Sequence, residues 1–212
     1  MTSHYDFWLV DLDGTLVDVD PSYIHHVVTE VGHRVGYPFT TEQAEMLWHG
    51  LSAPPEIHLE RWGIDPIDFW TAFHEVENAE ARAAATFLYP DAAALASIRE
   101  PIGLVTHCQS YLTEPVLERL DMTDWFDVVV CCDDGIGWKP DPRPVQYAID
   151  SLEVGLDTHA GVMVGDSPLD VGAAWNAGID AVHLERHGHD RRGSCVRADT
   201  SVATFEELFV TA

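Results

Sequence analysis

The chain has 212 residues, with 36 Asp and Glu against 11 Lys and Arg and a formal net charge of -25. That charge disfavours nucleic acid as a partner. A hydrophobic share of 46% is enough for a packed core and excludes wholesale disorder, and no apolar run approaches the roughly 18 residues of a membrane span.

The opening stretch MTSHYDFWLVDLDGT has no basic region ahead of its apolar run and carries Asp6 and Asp11. It does not read as a signal peptide, so a cytoplasmic location is expected. FWLV (7–10) reads as a buried strand running directly into Asp11-Leu12-Asp13-Gly14-Thr15. Two carboxylates about 4 Å apart repel by about 4 kcal/mol at an effective dielectric near 20. Asp11 and Asp13 therefore call for a nearby cation or for one protonated member. A carboxylate that merely caps a turn is the alternative for Asp11 taken alone. Gly14 suits a backbone with positive φ, although Gly14 and Thr15 also fit a plain turn.

Residues 18–85 carry helical patterns (YIHHVVTEVGHRVG, TEQAEMLWHG, PEIHLERWG and PIDFWTAFHEVENAEARAAA) and no convincing strand. They read as an inserted helical domain of roughly 65 residues, within the usual small-domain range. Strand–helix alternation then resumes. IGLV (102–105), VVV (128–130), GVMV (161–164) and AVHL (181–184) read as strands, and 91–99, 110–120, 143–152 and 168–177 have helical spacing. Continuous apolar strands alternating with helices predict an α/β core with a parallel sheet covered on both faces. The expected division is a core of 1–17 and 86–212 and an inserted domain of 18–85.

Open parallel sheets bind ligands at the carboxyl ends of their strands. IGLV runs into Thr106 and His107, and GVMV runs into Gly165-Asp166-Ser167-Pro168-Leu169-Asp170. Lys139 follows VVV after a loop and is the single lysine of the chain, beside ten arginines. A compact ammonium suits a site where charge moves between a carboxylate and a phosphate; a planar guanidinium fits less well. Asp166 and Asp170 offer the hard oxygens that Mg²⁺ prefers. Ser167-Pro168-Leu169-Asp170 also has the form of a helix capping box, and the two readings are compatible.

DLDGTLVD after a strand, Thr106 after the next core strand, Lys139 in WKPDP, and GDSPLD after a later strand resemble the four motifs of the haloacid dehalogenase superfamily. They stand in that superfamily's order, the resemblance covers nearly the whole chain, and the helical insertion resembles its C1-type cap. The resemblance implies a Rossmann-like core and a Mg²⁺-dependent phosphatase acting on a small phosphorylated molecule. It implies Asp11 as nucleophile and Asp13 as the acid and base. Thr106, the His107 backbone N–H, Lys139 and Gly14 would lie around the phosphate. Asp11, the Asp13 carbonyl and Asp166 would hold the metal, with Asp170 in a supporting position. Many relatives carry Asn where this chain has His107, which leaves the role of that side chain open. The general look is closest to phosphoglycolate-phosphatase-like members.

Three rival readings share the scaffold. A 2-haloacid dehalogenase attacks carbon and usually lacks an acid at the position of Asp13. A phosphomutase shares the core motifs. A non-catalytic binding protein on this scaffold is disfavoured because every motif residue is present. The motifs leave the physiological substrate and the oligomeric state open.

Other signals are weaker. His187-Gly188-His189-Asp190 suits a solvated loop better than a metal site. Trp48 to Ser52, which includes His49, lies where relatives carry a specificity loop, and Arg34 and Arg61 could meet a substrate anion; packing or surface roles are the simpler readings. Cys108, Cys131, Cys132 and Cys195 form no CxxC pair, and a disulfide framework is not expected. Finally, self-repulsion from the net charge is screened as the Debye length falls from about 10 Å at 0.1 M salt to about 3 Å at 1 M. A salt-rich cytoplasm follows as the expected setting. A basic docking partner is disfavoured because the acids are spread along the chain.

Overall fold

In the computed structural model, residues 5–155, 159–193 and 195–209 are described. They divide into two compact units. One comprises residues up to Asp18, Leu88–Arg186 and the segment from Val196 on; the other comprises Val19–Phe87 and His187–Cys195.

The first unit is built on a six-stranded sheet. Its strands are β1 (Phe7–Val10), β4 (Ile102–Thr106), β5 (Val128–Cys131), β6 (Gly161–Gly165), β7 (Asp180–Leu184) and β8 (Thr200–Val202). Their order is β5-β4-β1-β6-β7-β8, with every pairing parallel. Side chains alternate across a strand. Phe7 and Leu9 therefore join one buried layer with Met163, Val145 and Ala174, and Trp8 and Val10 join the opposite layer with Leu104, Val164 and Phe205. Both faces are covered, which is why these strands read as unbroken apolar runs. Helices α6 (Ser110–Arg119), α7 (Arg143–Ser151) and α8 (Pro168–Ala177) provide crossovers between strands.

The order reverses around β1, whose neighbours β4 and β6 come from opposite directions of the chain path. A reversal of this kind opens a crevice at the carboxyl edge. The tips of β1, β4 and β6 carry Asp11, Thr106 and Asp166.

The second unit holds α1 (Pro21–Val35), α2 (Thr41–Trp48), α3 (Pro55–Arg61), α4 (Pro66–Val76) and α5 (Ala79–Ala85). Each boundary has a local cause. Asp20 caps α1 by accepting the Ser22 N–H, and Gly36 ends that helix with φ 73°. Thr40 and Gln43 form a capping box on α2. The long pattern over 66–85 breaks at Glu77, because Asn78 accepts the Ala81 N–H and starts a new helix. Val27, Val31, Leu47, Leu59 and Phe69 pack as this unit's own core.

Several elements differ from the sequence expectation. Val17–Val19 and Thr86–Leu88 form strands β2 and β3, which pair with each other at the two ends of the stretch read as purely helical. Residues 90–97 form a 3-10 turn: the Ala92 and Ile98 N–H groups reach back three residues to Tyr89 and Leu95. β8 has no apolar run to mark it in the sequence, because only Val202 of its three residues is buried. The stretch read as a solvated loop, His187 to Asp190, instead begins the short helix α9 (Gly188–Arg192), in which Arg192 is buried. It packs with the helical unit: Ser52 N–H donates to the Arg192 carbonyl at 2.9 Å, and the His49 and His187 rings lie 4.4 Å apart. No described helix is long and apolar enough to cross a membrane.

Candidate active site

The loop after β1 is a tight hydrogen-bonded turn. The Asp11 N–H donates to the Val164 carbonyl of β6 at 3.0 Å, fixing the start of the loop to the neighbouring strand. The Leu12 carbonyl then accepts the N–H groups of Leu16 and Val17 at 2.9 and 3.0 Å. Gly14 turns the chain with φ 76°, and a Cβ there would lie 2.7 Å from the Asp166 carboxylate. Both the left-handed backbone and the close approach require glycine. Gly14→Ala is therefore expected to destabilise the protein by about 1–3 kcal/mol, read as a lowered denaturation midpoint. An unchanged midpoint would contradict this packing.

Lys139 reaches the same place from the loop after β5. Its Nζ lies 2.6 Å from Asp11 Oδ1, 3.0 Å from the Val105 carbonyl and 2.7 Å from Asp170 Oδ1. The Asp170 contact is a close ion pair without hydrogen-bond alignment. Two of the ammonium's three donors are thus used on Asp11 and Val105, and its charge also serves Asp170. The following residue is anchored on α8, where the Asn176 side chain donates to the Pro140 carbonyl at 2.9 Å.

Asp11, Asp166 and Asp170 are all buried, and one carboxylate oxygen from each lies within 4.8 Å of the others. Asp170 accepts the Ser167 N–H at 3.0 Å and Ser167 caps α8 in return. The capping box and the ion pair with Lys139 thus use the same carboxylate. Gly165 admits it, since a Cβ there would meet the Asp170 carboxyl carbon at 2.3 Å.

The electrostatics follow from burial and crowding. Burial raises the Asp11 carboxyl well above its usual range, the carboxylates of Asp170 and Asp166 raise it further, and Lys139 opposes them. Burial alone would lower the Lys139 ammonium, but Asp11 and Asp170 more than reverse that and hold it charged. Three clustered carboxylates, of which Asp11 and Asp170 pair with the one ammonium, leave an uncompensated negative charge, and their hard oxygens suit a divalent cation such as Mg²⁺. The residues present therefore fit that ion.

Thr106 is buried at the tip of β4, where its hydroxyl accepts the Cys108 N–H at 3.0 Å. The neighbouring His107 imidazole is pushed down to about 3, first by burial and then by Lys139, so it is neutral at physiological pH. Its ring meets Trp138 edge-on at 5.5 Å, and its Nε2 is buried without a hydrogen bond. Asp13 is half-buried on the turn and lies outside the group of three carboxylates.

In the helical unit, Arg34 pairs with Glu75 and Arg61 is exposed at the end of α3. His49 is pushed down to about 4 by burial and then by Arg191, Arg192 and Arg82.

Two supporting residues were not legible as such in the sequence. Arg186 donates to the Thr15 carbonyl at 2.7 Å and to Asp91 at 2.9 Å, with its guanidinium 4.0 Å from the centre of the Tyr89 ring. His183, on β7, holds the Asp166 carbonyl at 3.0 Å. The signal available for His183 was a polar ring inside an otherwise apolar strand, which must find a partner when buried.

Residues 8–184 match the haloacid dehalogenase-like hydrolase family. The plasmid-borne phosphoglycolate phosphatase of Cupriavidus necator is 32% identical over 94% of this chain and 90% of its own length. Phosphoglycolate phosphatase of Yersinia pestis is 31% identical over 82% of this chain and 78% of its own length. Among solved structures, a putative phosphoglycolate phosphatase from Lactobacillus plantarum superposes with a TM-score of 0.77 at 23% identity, covering 97% of this chain and 99% of that one. A phosphatase from Thermococcus onnurineus gives 0.67 at 28% identity, covering 96% and 95%. With the strand-tip carboxylates and the lysine in one buried cluster, the chain belongs to the haloacid dehalogenase-like hydrolase family, among relatives that are phosphatases.

Proposed function

We propose that this protein is a Mg²⁺-dependent phosphatase that hydrolyses a small phosphate monoester through an aspartyl-phosphate on Asp11. The observation that carries this reading is the buried cluster of Asp11, Asp166 and Asp170, with the Lys139 ammonium paired to Asp11 and Asp170.

Asp11 and Asp166 would hold the metal together with the Asp13 main-chain carbonyl, with Asp170 supporting them. When bound, the ion neutralises charge on the transferring phosphoryl group. An Asp11 carboxylate oxygen attacks phosphorus in line, and the bond from phosphorus to the ester oxygen breaks. Asp13 gives its proton to that leaving oxygen. The Asp13 carboxylate then takes a proton from water as the water oxygen attacks phosphorus, which frees Asp11 and releases inorganic phosphate. Thr106, the His107 backbone N–H and Lys139 hold the phosphoryl oxygens while charge builds on them. Gly14 leaves room for this loop and the Asp166 carboxylate to lie close together.

The test is phosphate release from a panel of phosphomonoesters in molar KCl, with Mg²⁺ or EDTA. The names of the sequence relatives put phosphoglycolate first in the panel. Turnover that requires the metal is expected. Chloride release from 2-chloropropionate without metal would overturn the reading in favour of a dehalogenase, and net transfer between sugar positions would favour a mutase.

A salt-rich cytoplasm is the proposed setting, supported by the net charge of -25. The thermal midpoint is expected to rise by roughly 10 °C between dilute buffer and 2 M KCl, since a few kcal/mol of relieved repulsion shifts a chain of this length by that amount. A midpoint that is flat with salt would remove this inference.

A further inference from the structure

Asp166 is held by the peptide groups on both of its sides. Its own N–H donates to the Thr15 hydroxyl at 3.1 Å. Its carbonyl accepts from His183 Nε2 at 3.0 Å. The peptide plane that contains this carbonyl also contains the Ser167 N–H, which donates to Asp170 Oδ2 at 3.0 Å. Peptide groups are planar, so fixing the planes on either side of one Cα fixes its φ and ψ, and with them the direction of its Cβ. The same plane thus ties His183 to two of the three buried carboxylates.

We propose that His183 is a positioning residue for the metal site: its Nε2–H sets the Asp166–Ser167 peptide plane and thereby the placement of the Asp166 and Asp170 carboxylates. The inference rests on the metal-site reading given above. His183 is 2% exposed, the fourth of the five residues of β7, beside Gly165 in register. The other members of that strand that face inward are Ala181, Val182 and Leu184. An imidazole is an expensive choice at such a position unless it makes a hydrogen bond. A carbonyl only accepts, so Nε2 carries the hydrogen and the tautomer is fixed.

Without that donor the buried carbonyl loses its partner, and the plane is held only by the Ser167 N–H on its other edge. A small turn of the plane then shifts the Asp166 carboxylate, which lies against Gly14 with no room for even a Cβ between them. Groups that orient metal ligands in this way commonly change metal affinity by about 10–100-fold when removed.

The test compares His183→Met and His183→Gln in the full chain. The two side chains are similar in length and flexibility, and only glutamine keeps an N–H donor. Mn²⁺ binding to the resting protein, followed by electron paramagnetic resonance, needs no turnover. The methionine variant is expected to bind about tenfold more weakly or worse, and the glutamine variant to stay within about threefold of wild type. At saturating metal, KM for the phosphate ester should be unchanged. Equal affinity in the methionine variant, or equal loss in both variants, would overturn the proposal.

Nitrogen-15 NMR of the wild-type imidazole gives a check that needs no variant: the Nε2–H tautomer is expected, and the Nδ1–H tautomer would overturn the assignment. Asp166→Asn separates the two layers of the argument. If it binds Mn²⁺ as tightly as wild type, the metal assignment itself falls and takes the role of His183 with it. If it loses Mn²⁺ while His183→Met does not, only the role of His183 falls.

Discussion

Replacing Asp11 with asparagine is expected to lower turnover by roughly 10⁴-fold or more, the scale seen when a covalent nucleophile is removed. The amide keeps the shape of the side chain but lacks the anionic oxygen that must attack phosphorus. The fold should survive the change. One of three crowded negative charges disappears, and Lys139 keeps its 2.7 Å ion pair with Asp170. Single-turnover phosphate release, read beside a thermal melt, separates lost chemistry from lost structure. Turnover within tenfold of wild type in a folded Asp11→Asn protein would remove Asp11 as nucleophile and the proposed mechanism with it.

Replacing Lys139 with methionine is expected to have the larger effect on stability. The lysine side chain is 3% exposed, and those of Asp11 and Asp170 are 8% and 2% exposed. Removing one partner of a buried ion pair typically costs about 3–5 kcal/mol, because the remaining charge is left uncompensated. In EDTA the thermal midpoint should fall by about 10 °C for a chain of this length. Added Mg²⁺ should restore part of that loss, since a ligand that binds only the folded state stabilises it by mass action. Lys139→Arg should also fail to support turnover. Three oxygens converge on a single nitrogen here, and a planar guanidinium cannot point its donors at all of them. A melt in EDTA that matches wild type for Lys139→Met would show that the carboxylates do not depend on the ammonium.

Much of this arrangement could be read along the chain. An apolar strand that ends in a carboxylate or a hydroxyl announces itself, because the buried run stops where polar chemistry begins. FWLV into Asp11, IGLV into Thr106 and GVMV into Asp166 are of this kind. The uniqueness of Lys139 could likewise be read from composition. The capping box at Ser167 and Asp170 is a local pattern, closed within four residues, and it appears as its spacing predicts.

The supporting contacts could not be read in this way. His183 on β7 and Asp166 just past the tip of β6 are 17 residues apart, and Arg186 and Thr15 are separated by 171 residues. Nothing local marks either partner, because the hydrogen bond exists only once the sheet sets the register. The segment 187–195 shows the same limit. Its first four residues, His187 to Asp190, read as a solvated loop, yet they lead into a short helix with Arg192 buried, and the segment belongs to the helical unit. β8, with one buried residue in three, carries too little pattern to distinguish it from loop.

The sequence by itself determined which residues end the buried strands, where the capping box starts the helix at Pro168, and that a single ammonium would serve several acids. Those features arise from hydrophobic periodicity and from bonds closed within one turn, both of which are local in the chain. The tertiary structure alone decided which acids share Lys139, which backbone groups hold Asp166, and why Gly14 and Gly165 have no side chain. These depend on the distances between strand tips, which the parallel register and the packing of both sheet faces fix only in the folded molecule.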